Sequence, residues 1–312
     1  MRLQRFTNYL LRNRWIALVL TFGVTFVPIV GIVGIIYAAL VTLRKNLIEG
    51  GWLTLAATLP YIISFYLSGG HEPGSNQLVL WAAMGVAVLS NVLTWVFACM
   101  LRKQATWSQI LQVAALLGVL FISVVHLAYP NVADWWGEQL TSYYHQATTA
   151  LTGTIKPEAV NPSDIQLESI NITKQYATGL MTMAILFNAI LQLIAARWWQ
   201  AWVFNPGMLR RELHQIRLSR LAGLLFILSL VLSYLGNSVV LDIMPVLYML
   251  FGAAGLSLIH YMFGLIKSST RWFWIWLLYV TLIFALPTSI IVVALLALFD
   301  IWLDVRKRLK KI

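Results

Sequence analysis

The sequence predicts an all-helical, polytopic transmembrane bundle. Three observations carry the prediction. Hydrophobic residues make up 60% of the chain and charged residues only 11%, whereas a soluble protein carries roughly 25% charge. The apolar residues gather into eight blocks, 15–42, 52–68, 77–100, 107–128, 176–196, 219–238, 243–266 and 272–299. The basic residues stand at the ends of these blocks rather than inside them. Crossing a hydrocarbon core of roughly 30 Å takes about 20 apolar residues as a helix. A β-barrel would instead show alternating segments of about 10 residues.

The first block follows Arg2, Arg5, Arg12 and Arg14, a pattern shared with signal peptides. It is longer than an apolar h-region of about 7–15 residues and lacks a small-residue cleavage site, so it reads as a retained membrane segment. The middle blocks alternate sides once the positive-inside rule is applied to their loops. Arg44 and Lys45, Arg102 and Lys103, Arg197 through Arg220, Lys267 and Arg271, the N-terminal arginines and the tail Arg306–Lys311 hold 20 of the 22 basic residues. This set is expected to be cytoplasmic, with both termini. The other loops carry only Lys156 and Lys174, beside Glu72, Asp134, Glu138, Glu158, Asp164, Glu168 and Asp242.

The first and last blocks break this alternation. Block 15–42 lies between Arg14 and Arg44, and block 272–299 between Arg271 and Arg306, so each begins and ends on the basic side. Each has 28 residues, about 42 Å as one straight helix. Pro28 with Gly31 breaks the first near its middle, and Pro287 breaks the last. Both are therefore expected to be hairpins of two short helices, the alternative being single tilted helices. Their tips would lie at membrane depth and need protein cover, because lipid cannot satisfy free backbone groups.

Segment 129–174 is expected to be external. It holds Asp134-Trp135-Trp136, Ser142-Tyr143-Tyr144, Pro157 and Pro162, and Ser163 with Gln166 resembles a capping box. Two amphipathic helices on the outer surface fit it. The whole of 1–312, this segment included, reads as a single integral membrane domain. Gly34 and Ala38 form a small-xxx-small pair suited to close helix contact.

Candidate function rests on polar residues within apolar blocks. Asn188 and Gln192 lie four apart on one helix face, and Asn91 stands near the centre of its block. Such amides act either as interhelical glue or as the lining of a pocket. With the broken segments at Pro28, Gly31 and Pro287, they make up the candidate substrate-binding set, since broken helices line midplane sites in transporters. His126 lies toward the outer end of its block and His260 toward the inner end of its own. The five histidines show no ligand spacing, no carboxylate lies deep in a block, and hydrolase, phosphate-loop and zinc-protease motifs are missing, so the expectation is a non-enzyme without metal or cofactor. The net charge of +11 is explained by topology and not by nucleic-acid binding.

The connector 197–220 is the most unusual stretch. Arg197, Trp198 and Trp199 close a helix, Asn205, Pro206 and Gly207 form a turn, and Arg210, Arg211 and Arg217 follow on a basic surface helix. Leu209, Leu213 and Ile216 are expected to face lipid while the arginines reach phosphates; the alternative is a docking surface for a cytoplasmic partner. The run Ala196-Arg197-Trp198-Trp199-Gln200, then Asn205-Pro206-Gly207, Glu212-Leu213 and Ile216-Arg217-Leu218 resembles the signature of the YybS-like family of uncharacterised bacterial membrane proteins. Met208 and Leu209 replace that family's Gly-Phe. The resemblance covers most of the chain, and the family is distantly similar, chiefly over the region up to about Ala196, to substrate-binding S components of energy-coupling-factor transporters. It implies a bacterial inner-membrane helical bundle with an outward-opening small-molecule pocket, and it names no substrate. The expected function is small-molecule binding or transport; the alternative is a membrane scaffold that docks a partner through 197–220.

Overall fold

The computed structural model describes residues 2–27, 30–67, 77–152, 164–265 and 270–309. Pro28, Lys156, Pro157, Pro162, Ser163 and Lys267 fall outside these residues. Every regular element among the described residues is a helix. Five helical stretches are long and apolar enough to cross a membrane: Leu47–Leu67, Val79–Arg102, Trp107–Ala128, Gln166–Phe204 and Ser238–Leu265. Large apolar side chains point outward along the bundle, Val19, Leu116, Leu224 and Ile283 among them. A water-soluble monomer rarely exposes so much contiguous apolar surface.

The first apolar block divides into α2 (Arg14–Thr25) and α3 (Ile32–Arg44), preceded by α1 (Arg2–Arg12). A stripe of small residues lets α2 and α3 touch. A Cβ on Gly34 would meet Thr25 Oγ1 at 2.7 Å, and one on Gly31 would meet the Thr25 carbonyl oxygen at 2.8 Å. Ala17 and Ala38 join the same buried cluster. The Gly34–Ala38 face is thus used up inside the chain. α3 packs on α4 (Leu47–Leu67), where Thr42 occupies the space a Cβ on Gly50 would need.

From α4 the chain turns into α5 (Gln77–Arg102) and α6 (Trp107–Ala128), the latter opened by a Thr106–Gln109 capping box. α7 (Val132–Thr152) and α8 (Asp164–Thr173) follow, tied by the Tyr144 hydroxyl donating to Gln166 Oε1 at 2.6 Å. α9 (Ala177–Phe204) runs eight residues past the apolar block, so Arg197, Trp198 and Trp199 are helical. The basic surface helix expected to carry Arg210, Arg211 and Arg217 is shorter and ends before Arg217: α10 covers Met208–Leu213, begun by Gly207 at φ +84°, a left-handed conformation that suits glycine.

Block 219–238 gives α11 (Arg220–Tyr234), only 15 residues or about 22 Å, short of the expected full-length span. Gly236 at φ +80° turns the chain into α12 (Ser238–Leu265). That helix starts earlier than the apolar block and draws Asp242 into its first turns.

The last block divides at Ala285 into α13 (Arg271–Phe284) and α14 (Leu286–Leu303), with Pro287 in the first turn of α14, where its missing N–H costs nothing. Ile290 packs on Gly252 and Val293 on Gly255, so α14 runs parallel to α12. If α13 continued that line, Tyr279 would stand about 16 Å before Ile290, beside Leu241. It lies instead against His260, with ring centroids 5.8 Å apart. The chain therefore doubles back at Ala285. α15 (Val305–Leu309) ends the described residues after Asp304, which adopts φ 50°.

One core cluster joins α5, α6, α9, α11, α12 and α14, centred on Phe97, Ile110, Leu193, Phe226, Val246 and Phe251. A second holds α1, α2, α3 and α4. Between membrane helices the cohesion comes from close packing and hydrogen bonds, because lipid is as apolar as leucine. Gly179 and Gly255 illustrate this: an added Cβ would fall 1.7 Å from the Asp242 carbonyl oxygen and 2.0 Å from that of Val293.

Candidate functional site

The basic residues converge on one end of the bundle. Arg102 donates to the carbonyls of Thr42 and Lys45, each at 2.8 Å. Arg44 lies 4.0 Å over the Phe204 ring, and Trp199 Nε1 reaches Thr7 Oγ1 at 3.2 Å. Arg197 binds Glu212 through two contacts of 2.5 and 3.1 Å, and Trp107 Nε1 donates to the same carboxylate at 2.9 Å. Burial raises the Glu212 carboxyl, but the Arg197 and Trp107 hydrogen bonds and the Arg197 charge outweigh it and hold it below its ordinary range. Arg217 ion-pairs with Asp304 at 2.9 Å and donates to the carbonyls of Asp300 and Ile301. Arg306 ion-pairs with Asp300 at 3.1 Å and donates to the carbonyls of His214 and Ile216.

Contacts therefore bring the ends of α3, α5, α9, α12 and α14 together with the starts of α6 and α11. The connector is woven into this layer instead of resting on it. Leu209 and Ile216 are buried and Leu213 packs against the main core, so the apolar face expected to meet lipid meets protein. Arg217, expected at phosphates, is a clamp between the connector and α14. Arg210 and Arg211 remain exposed, as do Asn205, Pro206 and Gly207. Trp198 and Trp202 are exposed too, their rings 5.1 Å apart.

The amides sit in helix contacts. Asn91 Nδ2 donates to the Ala57 carbonyl at 3.4 Å and to Thr58 Oγ1 at 3.3 Å, joining α5 to α4. Gln192 accepts from Thr94 Oγ1 at 2.6 Å, joining α9 to α5. Asn188 is half-buried on α9. Gly31 packs on Thr25. The two cavities described below are lined by other residues. Trp95 Nε1 donates to the Leu47 carbonyl at 3.1 Å, and Trp81 packs on Phe65.

The end opposite the basic cluster holds a different constellation. Asp242, 2% exposed, places Oδ2 2.9 Å from His126 Nε2 and accepts the Gly179 backbone N–H on Oδ1 at 2.7 Å. Three helices, α6, α9 and α12, meet at this carboxylate. A cavity of about 260 Å³ opens beside it, lined by His126, Lys174, Gln175, Gly236, Ser238 and Asp242, with Val132, Ala133 and Leu241. Lys174 is held by Asp134 at 3.1 Å, and Trp136 Nε1 donates to Thr178 Oγ1 at 3.0 Å, fixing α7 over the opening. Chemically the site offers an imidazole, a carboxylate, an ammonium, a hydroxyl and an amide around a small volume with mainly apolar walls.

By its place at the margin of an apolar block Asp242 reads as a loop residue, and its pairing with His126 is not evident from that reading. The available signal was the apolar run Val239-Val240-Leu241 just before Asp242, which continues the block toward its N-terminus and puts the acid inside the helix. A buried acid needs a partner, and His126 at the matching end of its own block is a fitting one. A second cavity, of about 240 Å³, lies at the basic end between the connector, α12 and α14–α15.

Fold and site together define, among the described residues, an all-helical chain with several membrane-length apolar helices and a buried His–Asp pair beside a small cavity. No known protein family, curated protein or solved structure matches it.

Proposed function

We propose that this chain is a multi-pass inner-membrane protein that binds a small polar molecule in the cavity at His126 and Asp242, in a transport-type role. The single observation that carries the reading is that cavity, closed on one side by a buried, hydrogen-bonded carboxylate and edged by Lys174. Binding pockets combine a shaped volume with a few convergent polar groups, and ionisable residues kept inside membrane proteins mark functional paths. The resemblance to the YybS-like family, and through it to S components, supports an outward-opening pocket. In this reading the basic end is cytoplasmic with both termini, α4, α5, α6, α9 and α12 cross the bilayer, the shorter α11 links the basic end to the start of α12, and α2–α3 and α13–α14 enter the bilayer from the cytoplasmic side and return.

Native mass spectrometry of protein purified from its own membranes tests the proposal. The expected result is a small-molecule adduct that disappears in Asp242→Asn and His126→Ala. A ligand-free wild type, in several detergents and with α7 intact, overturns it. The second reading, a scaffold for a partner, is favoured by the exposed Trp198, Trp202, Arg210 and Arg211. Co-purification of one stoichiometric protein, lost in Arg210→Glu/Arg211→Glu, together with no adduct, would select it.

A further inference from the structure

We infer that the cavity at the basic end is a binding site for a phosphate monoester or diester group, independent of the ligand proposed above. The cavity, about 240 Å³, is lined by His214, Gln215, Arg217, Tyr261, Asp304, Arg306 and Lys307. Its floor is built: Arg306, 12% exposed at its side chain, is held by Asp300, by the His214 and Ile216 carbonyls, and by Ser257 Oγ at 3.3 Å. A guanidinium fixed by four contacts is already oriented, so a ligand pays little to order it. The Arg306 guanidinium lies 5.8 Å from the centre of the Tyr261 ring, and the Tyr261 hydroxyl is buried without a hydrogen-bond partner. A buried hydroxyl without a partner is costly, and it belongs to a residue that lines this cavity.

Charge sets the ligand class. Arg217, Arg306 and Lys307 face two carboxylates, Asp300 and Asp304, and Arg210 stands near His214 at the rim, since an added Cβ on Gly264 would lie 3.4 Å from both. The balance is positive. Burial and the neighbouring Arg210, His260 and Arg306 charges keep His214 below its ordinary value, so it stays neutral and can both accept and donate. A tetrahedral anion with several acceptor oxygens matches a donor set of guanidinium, ammonium, phenol and amide. Because the cavity lies where the connector meets the ends of α12 and α14, the phosphate can belong to a lipid headgroup or to a soluble ester.

The test uses the full chain in neutral detergent, with glycerol 3-phosphate as the soluble probe and nanodiscs of phosphatidylglycerol or of phosphatidylcholine alone as the lipid probes. Native mass spectrometry reads stoichiometry, and Lys307→Gln, Tyr261→Phe and Gln215→Ala are compared with wild type and with Arg211→Gln as an off-cavity control. One retained phosphatidylglycerol, weakened at least tenfold by Lys307→Gln or Tyr261→Phe but not by Arg211→Gln, supports the site with a lipid source. Saturable one-to-one glycerol 3-phosphate binding with the same variant pattern supports it with a soluble source. Equal retention in all variants, loss only in Arg211→Gln, or binding of neither probe overturns it. Melting curves of each variant, measured alongside, identify any loss that follows from unfolding, and Gln215→Ala, which touches no ion pair described above, keeps the test decisive if another variant fails to fold.

Discussion

Replacing Arg306 with Met should unfasten the C-terminal helix pair from the connector. The Asp300 carboxylate is 3% exposed, one of its oxygens has no partner, and the other depends on Arg306 at 3.1 Å. Removing one member of a buried pair typically costs about 3–5 kcal/mol, because the remaining charge is stranded. Here burial lowers the Arg306 pKa while Asp300 raises it, and the net direction is down. That means desolvation consumes part of the attraction, so the lower figure, about 3 kcal/mol, is expected. Two carbonyls, those of His214 and Ile216, also lose their donor. Equilibrium unfolding in mixed micelles would compare wild type, Arg306→Met, Asp300→Asn and the double variant. The double variant should regain at least half the loss, since neutralising Asp300 removes the stranded charge. Simple additivity of the two substitutions, or an Arg306→Met loss under about 1 kcal/mol, would refute the reasoning.

Other expectations follow from particular contacts. Gly179→Val should abolish monodisperse protein in size-exclusion chromatography, because its Cβ would overlap a backbone carbonyl; Gly85→Ala, with open space around it, should fold and gain up to about 1 kcal/mol in helix propensity. Gln192→Leu should cost about 0.6 kcal/mol and leave ligand retention unchanged; loss of the adduct would return the amides to the pocket. Glu212 has a folded pKa below its ordinary 4.5, so its stabilisation is full above that value and fades as pH falls through the folded pKa. Limited proteolysis of the connector should therefore rise on acidification below about 4.5, and Glu212→Gln should be cleaved readily at neutral pH with little further change.

The helical class and most helix positions could be read from hydropathy alone, since no other pattern gives repeated charge-free runs of this length. The breaks at Gly31 and Pro287 were also legible, through length and the placement of arginines at both ends of each block. Side-chain partners were not. Whether Gln192 meets Thr94 or a ligand depends on which helix lies opposite, and α5 and α9 are separated by a long stretch of chain. The connector misled for a related reason: Leu209, Leu213 and Ile216 have the spacing of a surface helix, but the apolar partner they found was the core, not lipid. Asp242 was hidden by its position at the margin of a block, where a charge reads as a boundary. The cost of burying it is offset by His126 and the Gly179 N–H, neither of them near in sequence.

The most direct test of the account is the side from which its two cavities can be reached. In a Cys99→Ala background, Ser238→Cys marks the cavity at His126–Asp242, and Gln215→Cys marks the basic end; both native side chains are exposed. A membrane-impermeant maleimide would be applied to intact spheroplasts and again after permeabilisation. The account predicts that Ser238→Cys labels in intact spheroplasts, whereas Gln215→Cys labels only once the membrane is opened. Labelling of Gln215→Cys from outside, with Ser238→Cys protected until permeabilisation, would contradict it.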